Sequence, residues 1–182
     1  THCSEFGLRA DVIGFDYSAV AARKDQVVEQ MRKGILQLVK SNAIDLKPGT
    51  AKLTAKDRIC ISSAVGEEMI SAAKIILATG SAPMPLPVTG GNLPDVINSD
   101  QLLAMTEVPK SMVVVGAGAV GIEFAAIFQA FGCNVTVVEM MPAILPNVDS
   151  EIVKRMALVL RKQGIKFMTN TRVTGIKPGD GS

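Results

Sequence analysis

The run VVVGAGAVGIEF at residues 113–124, followed by VTVVE at 135–139, restricts this chain more than any other stretch. A β-branched apolar run, a turn holding three glycines and an apolar helical pattern predict strand, tight turn and helix. The second β-branched run predicts a neighbouring strand that ends on an acid. Gly116 permits a sharp exit from the strand, Gly118 lets a pyrophosphate approach the backbone, and Gly121 allows close helix–strand packing. Amides left unbonded at residues 118–121 face such a ligand, and the helix dipole favours its negative charge. Glu139 lies 18 positions beyond Gly121 (139 − 121). A carboxylate there can accept both ribose hydroxyl protons and repels a 2′-phosphate. No Arg stands in that place, so NAD is expected rather than NADP. Glu123, on the helix, either covers solvent or lies beside the nicotinamide.

The flanking sequence supplies the context that a glycine pattern needs. Residues 112–168 alternate strand, helix, strand, helix, strand, which predicts the start of a parallel, Rossmann-like α/β sheet. Met112–Val115 and Val135–Val138 are its first strands, with Val120–Phe131 as the helix between them. Asp149 or Ser150 caps a second helix whose Ile152, Met156, Val159 and Leu160 form an apolar stripe. Ile165–Met168 is a third strand and Thr171–Ile176 a fourth.

Upstream, residues 16–41 carry a helical pattern. Val20, Val27, Val28, Met31, Ile35, Leu38 and Val39 recur on one face, as in a packed scaffold helix, and Asp16 or Ser18 caps its start. Short strand-like pieces at 44–54, Arg58–Ser62 and Ala73–Ala78, joined by tight turns, predict an antiparallel meander. The last of these runs into Thr79-Gly80-Ser81, a small strand end that a bulky ligand can approach. Pro83, Pro85 and Pro87 stiffen the following segment, so a boundary is placed at residues 83–110, with Ser99 capping a short helix at Asp100–Met105.

Composition narrows the function classes. The 182 residues are 48% apolar and 20% charged, a globular balance with a net charge of only +2. One Tyr, no Trp and scattered basic residues argue against nucleic-acid binding. The window Met112–Val138 is the most membrane-like, but Gly116, Gly118, Gly121 and Gly132 divide it into strand- and helix-sized pieces, so no membrane span is expected. Cys3, Cys60 and Cys133 are isolated, with no C-x-x-C pair, and fit a reducing cytoplasm. His2, the sole histidine, is read as an exposed bystander.

KIILATGSAP at 74–83, with VVVGAGAVGIEFAAIF and VTVVE at this mutual spacing, resembles the flavin-dependent pyridine nucleotide–disulfide oxidoreductases over nearly the whole chain. The resemblance implies two cofactors, FAD and NAD. Thr79, Gly80 and Ser81 match a flavin fingerprint that passes FAD by backbone contacts, and Ala51 matches a position touching its adenosine half. Gly116, Ala117, Gly118, Ala119, Val120, Gly121, Ile122, Glu123 and Glu139 match the NAD site, and Val173 a position near the adenine. Glu123 matches an acid near the nicotinamide and flavin rings. Ala119 stands where glutathione reductases carry a gating Tyr, which implies an open nicotinamide pocket.

The implied organisation is a partial FAD-binding domain at 1–82, a linker with a short helix at 83–110 and an incomplete NAD-binding domain at 111–182. Within the family, the residues look most like the branch that oxidises lipoyl groups of 2-oxo acid dehydrogenase complexes, a cytoplasmic homodimer. A mercuric reductase, a flavin NADH oxidase and a non-catalytic nucleotide-binding module are the alternatives. The family's first flavin fingerprint, its C-x-x-x-x-C redox centre and its His-Glu pair match nothing here. The chain is therefore expected to be an interior piece of a longer protein, without catalytic residues of its own and inactive by itself.

Overall fold

A computed structural model describes residues 14–178; His2 and Cys3 lie outside them. The chain divides into two compact units, residues 14–22 with 83–178, and Arg23–Ala82. The division runs through the first helix, α1 (Tyr17–Ser41).

Of the two candidate caps, Asp16 closes the start of α1. Its Oδ1 accepts the backbone N–H of Ser18 at 2.9 Å and of Ala19 at 3.2 Å, and the Ser18 hydroxyl at 2.7 Å. At the other end Ala43 turns left-handed, with φ of 53°. The apolar stripe of α1 is not packed as expected. Val28, Met31, Ile35 and Leu38 are exposed, and Ala21 alone is buried. Helical periodicity records which residues share a face, but it does not supply the surface that would cover them.

After α1, the unit of Arg23–Ala82 holds one antiparallel sheet of three strands in sequence order: β1 (Thr50–Ala55), β2 (Arg58–Ser63) and β3 (Gly66–Ser71). Thr50 pairs with Ser62, and Ser63 with Gly66. The meander is therefore present, but its third strand is 66–71, not 73–78. Residues 73–78 form no strand, and Ile76 and Leu77 are exposed. An apolar run becomes a strand only where a ladder satisfies its N–H and C=O groups, and β3 already occupies that edge of β2.

In the other unit, α2 (Ser99–Leu103) is capped by Asn98 rather than Ser99. The Asn98 side chain and Gln101 bond each other's backbone amides in a capping box. Three parallel strands follow: β4 (Ser111–Val115), β5 (Asn134–Val138) and β6 (Lys166–Met168). Val115 faces Val138, and Val138 faces Met168. Two helices make the crossovers, α3 (Ala119–Ala130) and α4 (Ser150–Lys162). Their core combines Ile122, Ala125 and Phe128 of α3, Val135 and Val137 of β5, and Val153, Ala157 and Leu160 of α4. Phe128 and Val137 are fully buried, each contributing about 1.5–3 kcal/mol of transfer free energy. Tyr17 meets Phe131 edge-on, with ring centroids 5.1 Å apart.

Two expectations change in this unit. Asp149 caps α4, accepting from Glu151 and Ile152, but Ile152, Met156 and Val159 are exposed, and the docked stripe is the adjacent one. Residues 171–176 make no fourth strand. Gly175 forms a single bridge with Thr89, supported by the Ile176 N–H on the Thr89 carbonyl at 2.8 Å. No helix among the described residues is long and apolar enough to cross a membrane.

Candidate dinucleotide site

β4 leaves the sheet at Gly116, whose φ of +100° is a region that L side chains rarely adopt. Its N–H still bonds the Val138 carbonyl at 2.9 Å. Gly118 is the N-cap of α3, and no side chain caps this end. The first helical bond runs from the Ile122 N–H to the Gly118 carbonyl at 3.0 Å. The amides of Ala119, Val120 and Gly121 thus lie in a first turn without intrahelical acceptors. A Cβ added at Gly118 would meet nothing within 4 Å, so the turn is open there. At Gly121 an added Cβ would fall 2.3 Å from the Gly116 carbonyl oxygen, so strand and helix touch through bare backbone. An open turn, uncapped amides and the positive end of a helix are what a pyrophosphate requires.

Glu139 stands beside this turn and is 92% shielded, being 8% exposed. Its Oε2 accepts the Ala117 N–H at 2.7 Å, and its Oε1 accepts the Met141 N–H at 2.8 Å. Each carboxylate oxygen keeps a further acceptor position, so two ribose hydroxyls remain within its capacity. Ala117, itself fully buried, is held through its carbonyl as well. Its carbonyl accepts the Leu145 N–H at 2.8 Å. Leu145 has φ of +49°, although it is neither glycine nor asparagine and precedes Pro146. Such a conformation costs about 1 kcal/mol. The neighbouring Ile144 side chain is anchored in the core.

The chain after β6 closes the same corner. Asn170 donates to the Met141 carbonyl at 3.0 Å and Thr171 to the Glu139 carbonyl at 2.9 Å, which brings half-buried Val173 two residues past Glu139's main chain. Ala119, Val120 and Glu123 are exposed on α3. Ile122 points into the core with its N–H spent, and Ala117 has both peptide groups engaged. Met141, Leu145, Asn170 and Thr171 were not signalled by any motif; they act through main chain, which residue type does not record.

Ala51 and Thr79–Ser81 lie in the other unit. Ala51 sits on exposed β1 opposite Ile61. Thr79, Gly80 and Ser81 form exposed irregular chain, with Gly80 at φ of +71° and open space where its Cβ would be. This backbone is accessible to a ligand, as a contact through main chain requires.

Compared with known protein families, residues 5–182 match pyridine nucleotide-disulphide oxidoreductase. The chain belongs to this family. It is 35% identical over 165 residues to a dihydrolipoyl dehydrogenase of Acholeplasma laidlawii, covering 88% of this chain and 48% of that protein. It is 32% identical over 174 residues to a dihydrolipoyl dehydrogenase of Bacillus subtilis (strain 168), covering 94% and 38%. Among solved structures, the Cu(II) complex of the HOCl-induced flavoprotein disulfide reductase RclA from Escherichia coli superposes with a TM-score of 0.83 at 29% identity, covering 91% and 38%. The chain thus spans half or less of the length of these relatives. The family and its dihydrolipoyl dehydrogenase members use FAD and NAD, the two cofactors that the resemblance implies.

Proposed function

We propose that the full protein is a dihydrolipoyl dehydrogenase: a dihydrolipoyl dithiol is oxidised to its disulfide, and NAD+ is reduced to NADH with release of one proton. The observation that carries this reading is the uncapped start of α3 beside the buried carboxylate of Glu139, in a member of this family. The relatives' names support the dithiol substrate. When bound, FAD and NAD supply the hydride chemistry.

This chain's residues bind and orient. The amides of Ala119, Val120 and Gly121 receive the pyrophosphate, Gly116 and Gly118 leave room for it, and Glu139 accepts the ribose hydroxyls. Val173 lines the adenine side, exposed Ala119 leaves the nicotinamide pocket open, and Glu123 faces the rings. Thr79, Gly80, Ser81 and Ala51 carry the flavin through main-chain contacts. In this reading residues 1–82 belong to the flavin domain, 83–110 to the linker and 111–182 to the NAD domain. The partners are lipoyl groups of 2-oxo acid dehydrogenase complexes, and the enzyme is a cytoplasmic homodimer whose redox disulfide and acid–base pair come from elsewhere in the full protein.

The test is NADH formation by the full-length protein from dihydrolipoamide and NAD+, with Glu139→Arg alongside. Turnover with NAD, and a preference shifted toward NADP in the variant, are expected. No turnover of dihydrolipoamide removes the substrate; an unchanged preference removes the ribose role of Glu139. The likeness to RclA favours a second reading, a flavoprotein disulfide reductase of another substrate, which the same assay with oxidised disulfides and NADH would reveal.

A further inference from the structure

We infer that Leu145 is a positioning residue for the dinucleotide: its N–H, held in a left-handed turn of the chain, fixes the Ala117 carbonyl and thereby aims the open amides of α3. The inference rests on the dinucleotide reading above. Ala117 is the only motif residue among 116–121 that is buried, and its carbonyl lies in the peptide that leads into Gly118, the helix start. Two bonds hold Ala117, one on each of the peptide units that flank its Cα: Glu139 Oε2 accepts its N–H, in the peptide to Gly116, and the Leu145 N–H donates to its carbonyl, in the peptide to Gly118. Rotating the 117–118 peptide would break the Leu145 bond and turn Gly118, the N-cap, away from its present direction.

The residue that donates this bond has a left-handed backbone. A leucine before a proline disfavours helical backbone, so the surroundings must impose this conformation. The surroundings that do so are visible. Ile144 is locked in the core on one side, and the Val148 N–H bonds the Leu145 carbonyl at 2.9 Å on the other. Met141 is tied at once to Glu139 and Asn170, which fixes the start of the same loop. Strain held by an over-determined loop next to a ligand turn is pre-organisation.

Two substitutions separate backbone from side chain in the full-length, flavin-loaded protein. Leu145→Val keeps the N–H but is β-branched and resists the left-handed region; Leu145→Asn shortens the side chain but tolerates it. The expected result is that Val raises the KM for NAD and the dissociation constant for ADP-ribose about tenfold, with kcat at saturating NAD and the KM for dihydrolipoamide unchanged. Asn should remain within about threefold of wild type. Equal affinity in all three proteins overturns the inference, and so does equal loss in Val and Asn, which would mark a packing role.

If Leu145→Val does not fold, amide exchange in the wild type decides. Binding at the turn and closure of the Leu145–Ala117 bond are linked, so ADP-ribose must slow exchange of the Leu145 N–H. An unchanged rate there, with ADP-ribose bound, overturns the inference. Wild type that binds neither NAD nor ADP-ribose removes the dinucleotide reading itself, before any variant is made.

Discussion

The Glu139 carboxylate accepts the Ala117 N–H at 2.7 Å, joining two residues 22 positions apart in sequence and adjacent at the ends of neighbouring parallel strands. One acidic side chain thereby has two tasks. In the proposed function it accepts the ribose hydroxyls, and it already accepts the Ala117 N–H of the glycine turn.

Glu139→Gln should therefore destabilise the protein even without nucleotide. The amide offers one carbonyl oxygen, so its NH2 must face the N–H of either Ala117 or Met141. Losing a charge-assisted bond and burying a donor against a donor costs about 2 kcal/mol. Urea denaturation of the NAD-free full-length protein reads this as a lowered midpoint at constant slope; an unshifted midpoint would show that the carboxylate supports only the ligand.

The start of α1 should loosen in acid. The Ser18 hydroxyl, with the Ala19 and Ser18 amides, holds the Asp16 carboxyl below the ordinary value of 3.8, against a small opposing effect of burial. A group whose folded pKa is lowered contributes its full stabilisation above the unfolded value and loses it as pH falls through the folded one. The Ser18 and Ala19 amide resonances should shift together as pH drops below about 3.8, and Asp16→Asn should abolish that transition while keeping the cap. A shift that persists in Asp16→Asn would assign the titration to another group.

Cys133 should be inert in the folded protein. It is buried, and burial pushes its thiol above the usual cysteine range, so the nucleophilic thiolate is scarce. Iodoacetamide labelling followed by mass spectrometry should find Cys133 modified only in denaturant, while half-buried Cys60 reacts under native conditions. Native labelling of Cys133 at the rate of the unfolded chain would contradict its burial.

The parallel unit was legible because its signals are local and redundant. Val113–Val115 and Val135–Val138 are β-branched runs, the glycines mark the turn, and Asp149 announces a helix. The sheet of Arg23–Ala82 was only half legible. β3 contains Glu67 and Glu68 and hides almost nothing, so neither alternation nor hydrophobicity distinguishes it, whereas the apolar 74–78 run looks like a strand and has no ladder. On α4 two apolar stripes lie side by side, and periodicity cannot say whether Val153 or Ile152 docks. The conformation of Leu145 was unreadable because residue type and the following proline both argue against it. It is decided by Ile144 and Ala117, which are distant from each other in sequence.

The contact between Gly121 and the Gly116 carbonyl leaves less room than a methyl group. The motif glycine least able to change is thus the one turned toward the strand rather than toward the open side of the turn. A descendant protein could exchange Glu139 or Ala119 and adopt another nucleotide while Gly121 stayed in place. What Gly121 secures is a spacing between strand and helix, and chemistry can be rewritten around it.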